Sequence, residues 1–192
     1  PLFPEGYLND TQVVATILSA DGSISMDVLA SLGASAALHI SNIPFSGPTA
    51  ACHVARVDGQ FVALPTPEQL AKSDMDILVS GTKNGILMVE GEAKFITEAD
   101  ALAALKFGHN TLTSLLQIQD ELREKTGSKQ KRDFVAPIID SEFRTQAEAV
   151  MKPLVEKALS MKIKQERYAG FAAALSEMST QVLSKITDDK LK

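Results

Sequence analysis

Gly33-Ala34-Ser35-Ala36-Ala37-Leu38-His39-Ile40-Ser41-Asn42-Ile43-Pro44-Phe45-Ser46-Gly47-Pro48 reads as a helix end followed by a rigid break. The small side chains from Gly33 to Ala37 let a helix approach its neighbours closely, so the run reads as buried. Glycine costs helix stability, which points to a packing reason for Gly33. Two prolines and a glycine between Pro44 and Pro48 then stop the helix and fix a turn. Upstream, Ser25 is placed to cap a helix from Met26 to about Ile40. Val28, Leu29, Leu32 and Ala36 fall near helical spacing on one face of it. Downstream, Ala50 to Leu64 reads as a hairpin, with Asp58-Gly59 supplying the positive φ angles of its turn.

Further out, Gln12 to Leu18 carries Val13, Val14, Thr16 and Ile17 and reads as a buried strand. Asp21-Gly22 marks a tight turn. Pro67 to Lys72 reads as a connecting turn. Met75–Gly81 and Ile86–Glu90 form a second strand pair about Lys83-Asn84-Gly85, in one mixed or antiparallel sheet. Thr97, with Asp100 three residues on, opens a helix from Glu98 to about Lys125, with a weak spot at Gly108. Gly127 to Pro137 has a linker composition. Two helices follow, Ser141 to Met161, which Pro153 should kink or restart, and about Lys164 to Lys185. The Asp188–Lys192 tail reads as frayed. The fold class is α+β followed by an all-α segment.

The 192 residues are 45% hydrophobic, enough for a sizeable core, and no long apolar run suggests a membrane span. A single cysteine, Cys52, fits a reducing compartment and reads as a small buried hydrophobe. The net charge of −5 is uneven. Residues 1–110 hold 5 Lys+Arg against 12 Asp+Glu, and residues 111–192 hold 14 against 12. An acidic first half repels phosphates, so any RNA contact by charge is expected in the second half, with two solvated surfaces of different composition the preferred reading. His39, His53 and His109 lack metal-ligand spacing and read as structural or surface residues. The sequence has neither a dinucleotide glycine fingerprint nor a P-loop.

Pro1-Leu2-Phe3-Pro4-Glu5-Gly6-Tyr7, the opening stretch, Val79-Ser80-Gly81-Thr82, Leu87-Met88-Val89-Glu90-Gly91-Glu92-Ala93, Phe107-Gly108-His109 and Lys164-Gln165-Glu166-Arg167-Tyr168 together resemble the bacterial polynucleotide phosphorylase family. The resemblance covers nearly the whole chain. It implies that residues 1–126 are the C-terminal half of the first of two ribonuclease PH-like cores. Residues 127–138 would be a linker and residues 139–192 the all-helical domain between the cores. By the same resemblance the parent is a cytoplasmic nucleotidyltransferase that degrades single-stranded RNA from 3′ to 5′ with inorganic phosphate and releases nucleoside diphosphates. It would use Mg²⁺, form a homotrimeric ring and meet partners of RNA-degradation complexes. This piece would mainly build the ring and link the cores. A stand-alone ribonuclease PH or exosome-ring subunit is the alternative, against which the helical segment after Pro137 argues.

Three weak sites emerge. Gly22, Ser23 and Ser25 match the phosphate-holding turn of the family's catalytic core, but Ile24 replaces a serine there. Helix N-termini bind anions through free N–H groups. Turn plus N-cap is the preferred reading. Asp74 and Asp76 match part of a Mg²⁺ site, and carboxylates suit that ion. The preceding loop, Pro65 to Lys72, lacks the family's further aspartate, so surface carboxylates are preferred. Lys129, Lys131 and Arg132 could touch RNA phosphates, with a solvated linker preferred.

Overall fold

The computed structural model describes residues 2–138 and 140–185, and these divide into two units, residues 1–136 and 137–192. The Asp188–Lys192 tail lies outside the described residues. In the first unit, helix α1 (Met26–Ile40) precedes strands β1 (Ala50–Val57) and β2 (Gln60–Ala63). A short helix α2 (Pro67–Ala71), strands β3 (Met75–Thr82) and β4 (Gly85–Ala93) and the long helix α3 (Glu98–Lys125) complete it. The strands form one antiparallel sheet in the order β2-β1-β3-β4. This is the α+β arrangement that the sequence implies.

Local chemistry explains the elements. Asp58 and Gly59 both take positive φ, of 50° and 77°, which closes the β1–β2 hairpin at Val57↔Gln60. Alternate residues of β1 and β3 face α3. Ala50, Cys52, Val54, Met75, Ile77 and Val79 pack there against Ala104, Leu112 and Leu116. Thr97 Oγ1 accepts the Asp100 N–H at 3.1 Å and starts α3. The expected weak spot at Gly108 is instead a place where α3 comes close to the sheet. A Cβ built there lies 2.8 Å from Val79 Cγ2 and 2.9 Å from Val54 Cγ2. The opposite face of β1 carries α1, which also meets α3.

Other expectations change as well. Gln12–Leu18 forms no strand, and Val13, Val14, Ile17 and Leu18 are exposed, because no described strand edge pairs with it. Pro67–Lys72 is not a bare turn but holds α2. Thr66 accepts the Gln69 N–H, and the Gln69 side chain accepts the Thr66 N–H at 2.9 Å. Gly33 has no neighbour within 4 Å of its would-be Cβ, and the buried residues of α1 are Val28, Ser35 and His39. The close-contact reason for Gly33 therefore falls away. Residues 127–136, linker-like in composition, fold back on the first unit. Arg132 N–H donates to Asn42 O at 2.7 Å, and Phe134 meets the Tyr7 ring edge-on at 5.5 Å.

In the second unit, α4 (Ser141–Leu159) and α5 (Lys164–Gln181) pack on each other, with a short 3₁₀ turn, Leu183–Lys185, after them. Asp140 caps α4, its carboxylate accepting the Glu142 N–H at 2.7 Å. The helix is continuous through Pro153. Gly170 lets the helices close up, since a Cβ there would lie 2.7 Å from Ala158 Cβ.

Candidate functional site

The turn before α1 uses its own polar groups. Gly22 takes φ 77°, and the Ser23 N–H and hydroxyl donate to Asp21 Oδ1 at 2.9 and 2.7 Å. Ser25 occupies the N-cap position, yet its hydroxyl caps no backbone N–H. It donates instead to Asp27, which also accepts the Val28 N–H at 2.7 Å. The start of α1 thus has an anion, and the anion is the chain's own carboxylate. Burial disfavours the charged form of Asp27. Its bonds from Ser25, His53 and Val28 outweigh this and hold its pKa below the usual carboxylate range. Gly22, Ile24, Ser25 and His53 border an adjoining hollow of about 170 Å³. A phosphate arriving here would meet Asp27, and of the turn-plus-cap reading the turn is present while the Ser25 hydroxyl supplies no cap.

Asp74 and Asp76 have different partners, both on β1. The Arg56 guanidinium forks onto Asp74, Nη2 to Oδ2 at 2.6 Å and Nε to Oδ1 at 3.0 Å, and its Nη1 reaches Asp100 at 3.0 Å. Arg56 holds the pKa of Asp74 and of Asp100 below the usual range. Asp76 faces His53 Nδ1 at 2.7 Å, and His53 Nε2 faces Asp27 at 3.0 Å. Among the described residues no three His, Cys, Asp or Glu side chains are placed to hold a metal ion. Both aspartates thus face β1, and their partners there reach on, Arg56 to Asp100 at the start of α3 and His53 to Asp27 of α1. Nor is there a nucleophile triad here, because the Ser25 hydroxyl points to Asp27 and not to His53.

The basic run is partly folded inward. Lys131 Nζ donates to the carbonyls of Leu38, His39 and Ser41 at 3.0, 3.0 and 2.9 Å, capping the C-terminal end of α1. Burial, then repulsion from Arg123, lowers the Lys131 pKa. Arg123 donates to His39 O and, at 2.8 Å, to Lys129 O. Arg132 donates to the Tyr7 hydroxyl and lies 5.6 Å from the centre of its ring. The Lys129 side chain is exposed. Lys131 is therefore a structural cation of the first unit, whereas Arg132, although it reaches Tyr7, stays exposed. A lysine near a helix end is a known capping signal. This one lies some ninety residues from its helix in sequence, so no local pattern reveals it.

The remaining histidines are structural, as is Cys52. His39 is buried with Nε2 on Asp120 at 3.0 Å and Nδ1 without a partner. Burial outweighs Asp120 and lowers its pKa. His109 Nε2–H donates to Thr82 O at 2.8 Å and pins α3 to the β3–β4 turn. Cys52 is fully buried, and burial pushes its thiol pKa up, away from thiolate chemistry. The parts that sequence reasoning missed are Asp27, Arg56 and Asp100. Each is an ordinary surface-type residue whose partner comes from another element.

Comparison with known proteins bears out the resemblance. Residues 47–111 match the 3′ exoribonuclease family, domain 2. A polyribonucleotide nucleotidyltransferase of Bdellovibrio bacteriovorus is 62% identical over 191 residues, covering 100% of this chain and 27% of the relative. Those of Syntrophotalea carbinolica and Anaeromyxobacter sp. strain K are 43% and 45% identical over 189 residues, each covering 98% of this chain and 26% of the relative. The chain thus spans about a quarter of the length of the curated relatives it matches.

Proposed function

We infer that this chain, whose residues 47–111 belong to the 3′ exoribonuclease family and whose whole length aligns with 27% of a polyribonucleotide nucleotidyltransferase, is a structural piece of such an enzyme. In this reading the parent degrades single-stranded RNA from the 3′ end in the cytoplasm. Inorganic phosphate attacks the terminal phosphodiester phosphorus, the bond to the preceding 3′ oxygen breaks, and a nucleoside diphosphate leaves. Such a transfer needs positioning and charge stabilisation more than covalent chemistry. The piece contributes framework to a homotrimeric ring and links its two cores.

One observation carries the assignment of a framework role. Every charged group of the two degenerate sites already has a partner within the chain. Asp27 takes the helix-start donors, Arg56 takes Asp74, and His53 takes Asp76. The residues present do not fit Mg²⁺, so the ion of the parent enzyme belongs to another part of it. Lys129, with its exposed side chain, is the member of the basic run best placed to meet RNA phosphates. The test is to incubate the purified chain with oligoadenylate, Mg²⁺ and phosphate and to look for ADP. No ADP is expected. ADP that persists through further purification and disappears with Asp76→Asn overturns the framework role.

A further inference from the structure

His53 is held by two carboxylates from two different elements. Its Nδ1 lies 2.7 Å from Asp76 Oδ1 on β3, and its Nε2 lies 3.0 Å from Asp27 Oδ2 in the first turn of α1. An ionised carboxylate only accepts hydrogen bonds, so both ring nitrogens must donate. Only the imidazolium does so. A neutral ring would turn one lone pair toward a carboxylate at hydrogen-bond distance. We propose that His53 is a proton-operated latch: protonated, it pins the start of α1 to the sheet, and on losing a proton it lets go of Asp27.

The geometry selects which arm opens. The Asp76 contact is the shorter and the better shielded, its side chain 33% exposed against 52% for Asp27. The proton that remains on the neutral ring therefore stays at Nδ1, and Nε2 is left bare toward Asp27. Release passes directly into the helix start, because the same Asp27 holds the Ser25 hydroxyl and the Val28 N–H. The turn Gly22–Ser25 borders the hollow beside His53, so the latch controls how firmly that wall is held.

Among the described residues, the charged partners of the ring are both carboxylates. From α1 it meets Asp27 and from β3 Asp76, with Glu92 of β4 in register beyond Asp76. The β2 end reaches it through the backbone, where the Leu64 N–H donates to His53 O at 2.9 Å. Around the hollow, α2 contributes Pro67 and Leu70, neither of them ionisable. Helix α3 covers the opposite face of the sheet. Burial of the ring disfavours its charge, but the two aspartates outweigh it and raise the pKa above the ordinary histidine value.

The test is a titration of the complete ¹⁵N-labelled chain from about pH 5 to about pH 9, bracketing the ordinary histidine value. The ring nitrogens of His53 and the backbone amides of Ser25 to Leu29 are followed by NMR. At neutral pH both His53 nitrogens should be protonated. The midpoint should lie above that of His39, and the Asp27 and Val28 amides should shift with that same midpoint. Asp76→Asn should lower the midpoint, and His53→Gln should remove the amide step. If either variant fails to fold, the wild-type titration decides alone. A single neutral tautomer at pH 7, or amides at 25–29 that ignore the His53 midpoint, overturns the latch.

Discussion

Gly108 and Gly33 both sit inside helices, and replacing each with alanine should move stability in opposite directions. Alanine gains about 0.5–1 kcal/mol over glycine within a helix, through propensity and a less disordered unfolded chain. At Gly33 nothing lies within 4 Å of the new methyl, so the whole gain is kept. At Gly108 the methyl would lie 2.8 Å from Val79 Cγ2, 2.9 Å from Val54 Cγ2 and 3.1 Å from Val79 Cβ. Val54 and Val79 are fully buried, and β-branched side chains have few rotamers to retreat into. Overpacking of this kind costs about 1–3 kcal/mol, leaving Gly108→Ala about 0–2 kcal/mol less stable than the wild type. Urea denaturation followed by far-UV circular dichroism reads the difference, and the gap between the variants should be about 1–3 kcal/mol. Val79→Ala removes one of the obstructing methyls, so Gly108→Ala should cost less in that background. Equal shifts at the two glycines would refute the reasoning that α3 is seated on the sheet through Gly108.

Lys131→Ala should destabilise the first unit by about 1 kcal/mol, the worth of a charge-assisted cap on three carbonyls, while Lys129→Ala stays within about 0.5 kcal/mol of the wild type. Parallel urea curves for the two variants measure this, and a silent Lys131→Ala would return the segment to a solvated linker. His39 sets an acid-side slope. Its folded pKa is lowered by burial, so the folded state binds fewer protons than the unfolded chain, and stability is lost as pH falls through the unfolded value near 6.5. His53 has the opposite sign, its contribution present below the unfolded value and lost as pH rises through the raised one. Thermal melts across this range should therefore show a flatter acid limb for His39→Gln and a flatter alkaline limb for His53→Gln.

The hairpins and helix starts were legible because their causes lie within four residues. Asp58-Gly59 closes a two-residue turn whatever else the chain does, and Thr97 finds its N–H partner at Asp100. The same locality misled at Gln12–Leu18, where strand-like composition says nothing of whether an edge is available to pair with. Gly33 and Gly108 look alike in sequence, since a glycine shows that something is small and not what it is small for.

The site was less legible for a related reason. Composition identified Asp74, Asp76 and Lys131 as ionisable, and the spacing of each suits a ligand site as well as it suits a surface. What decides between these is the direction of the charge, and that is set by elements far along the chain: Arg56 for Asp74, His53 for Asp76, the end of α1 for Lys131. A carboxylate already facing a guanidinium at 2.6 Å, as Asp74 does, has less field left for a metal ion or for repelling RNA. Asp74 and Asp100 share the one Arg56 guanidinium, already counted in the acidic balance of residues 1–110, so this pairing softens the negative surface locally without cancelling it.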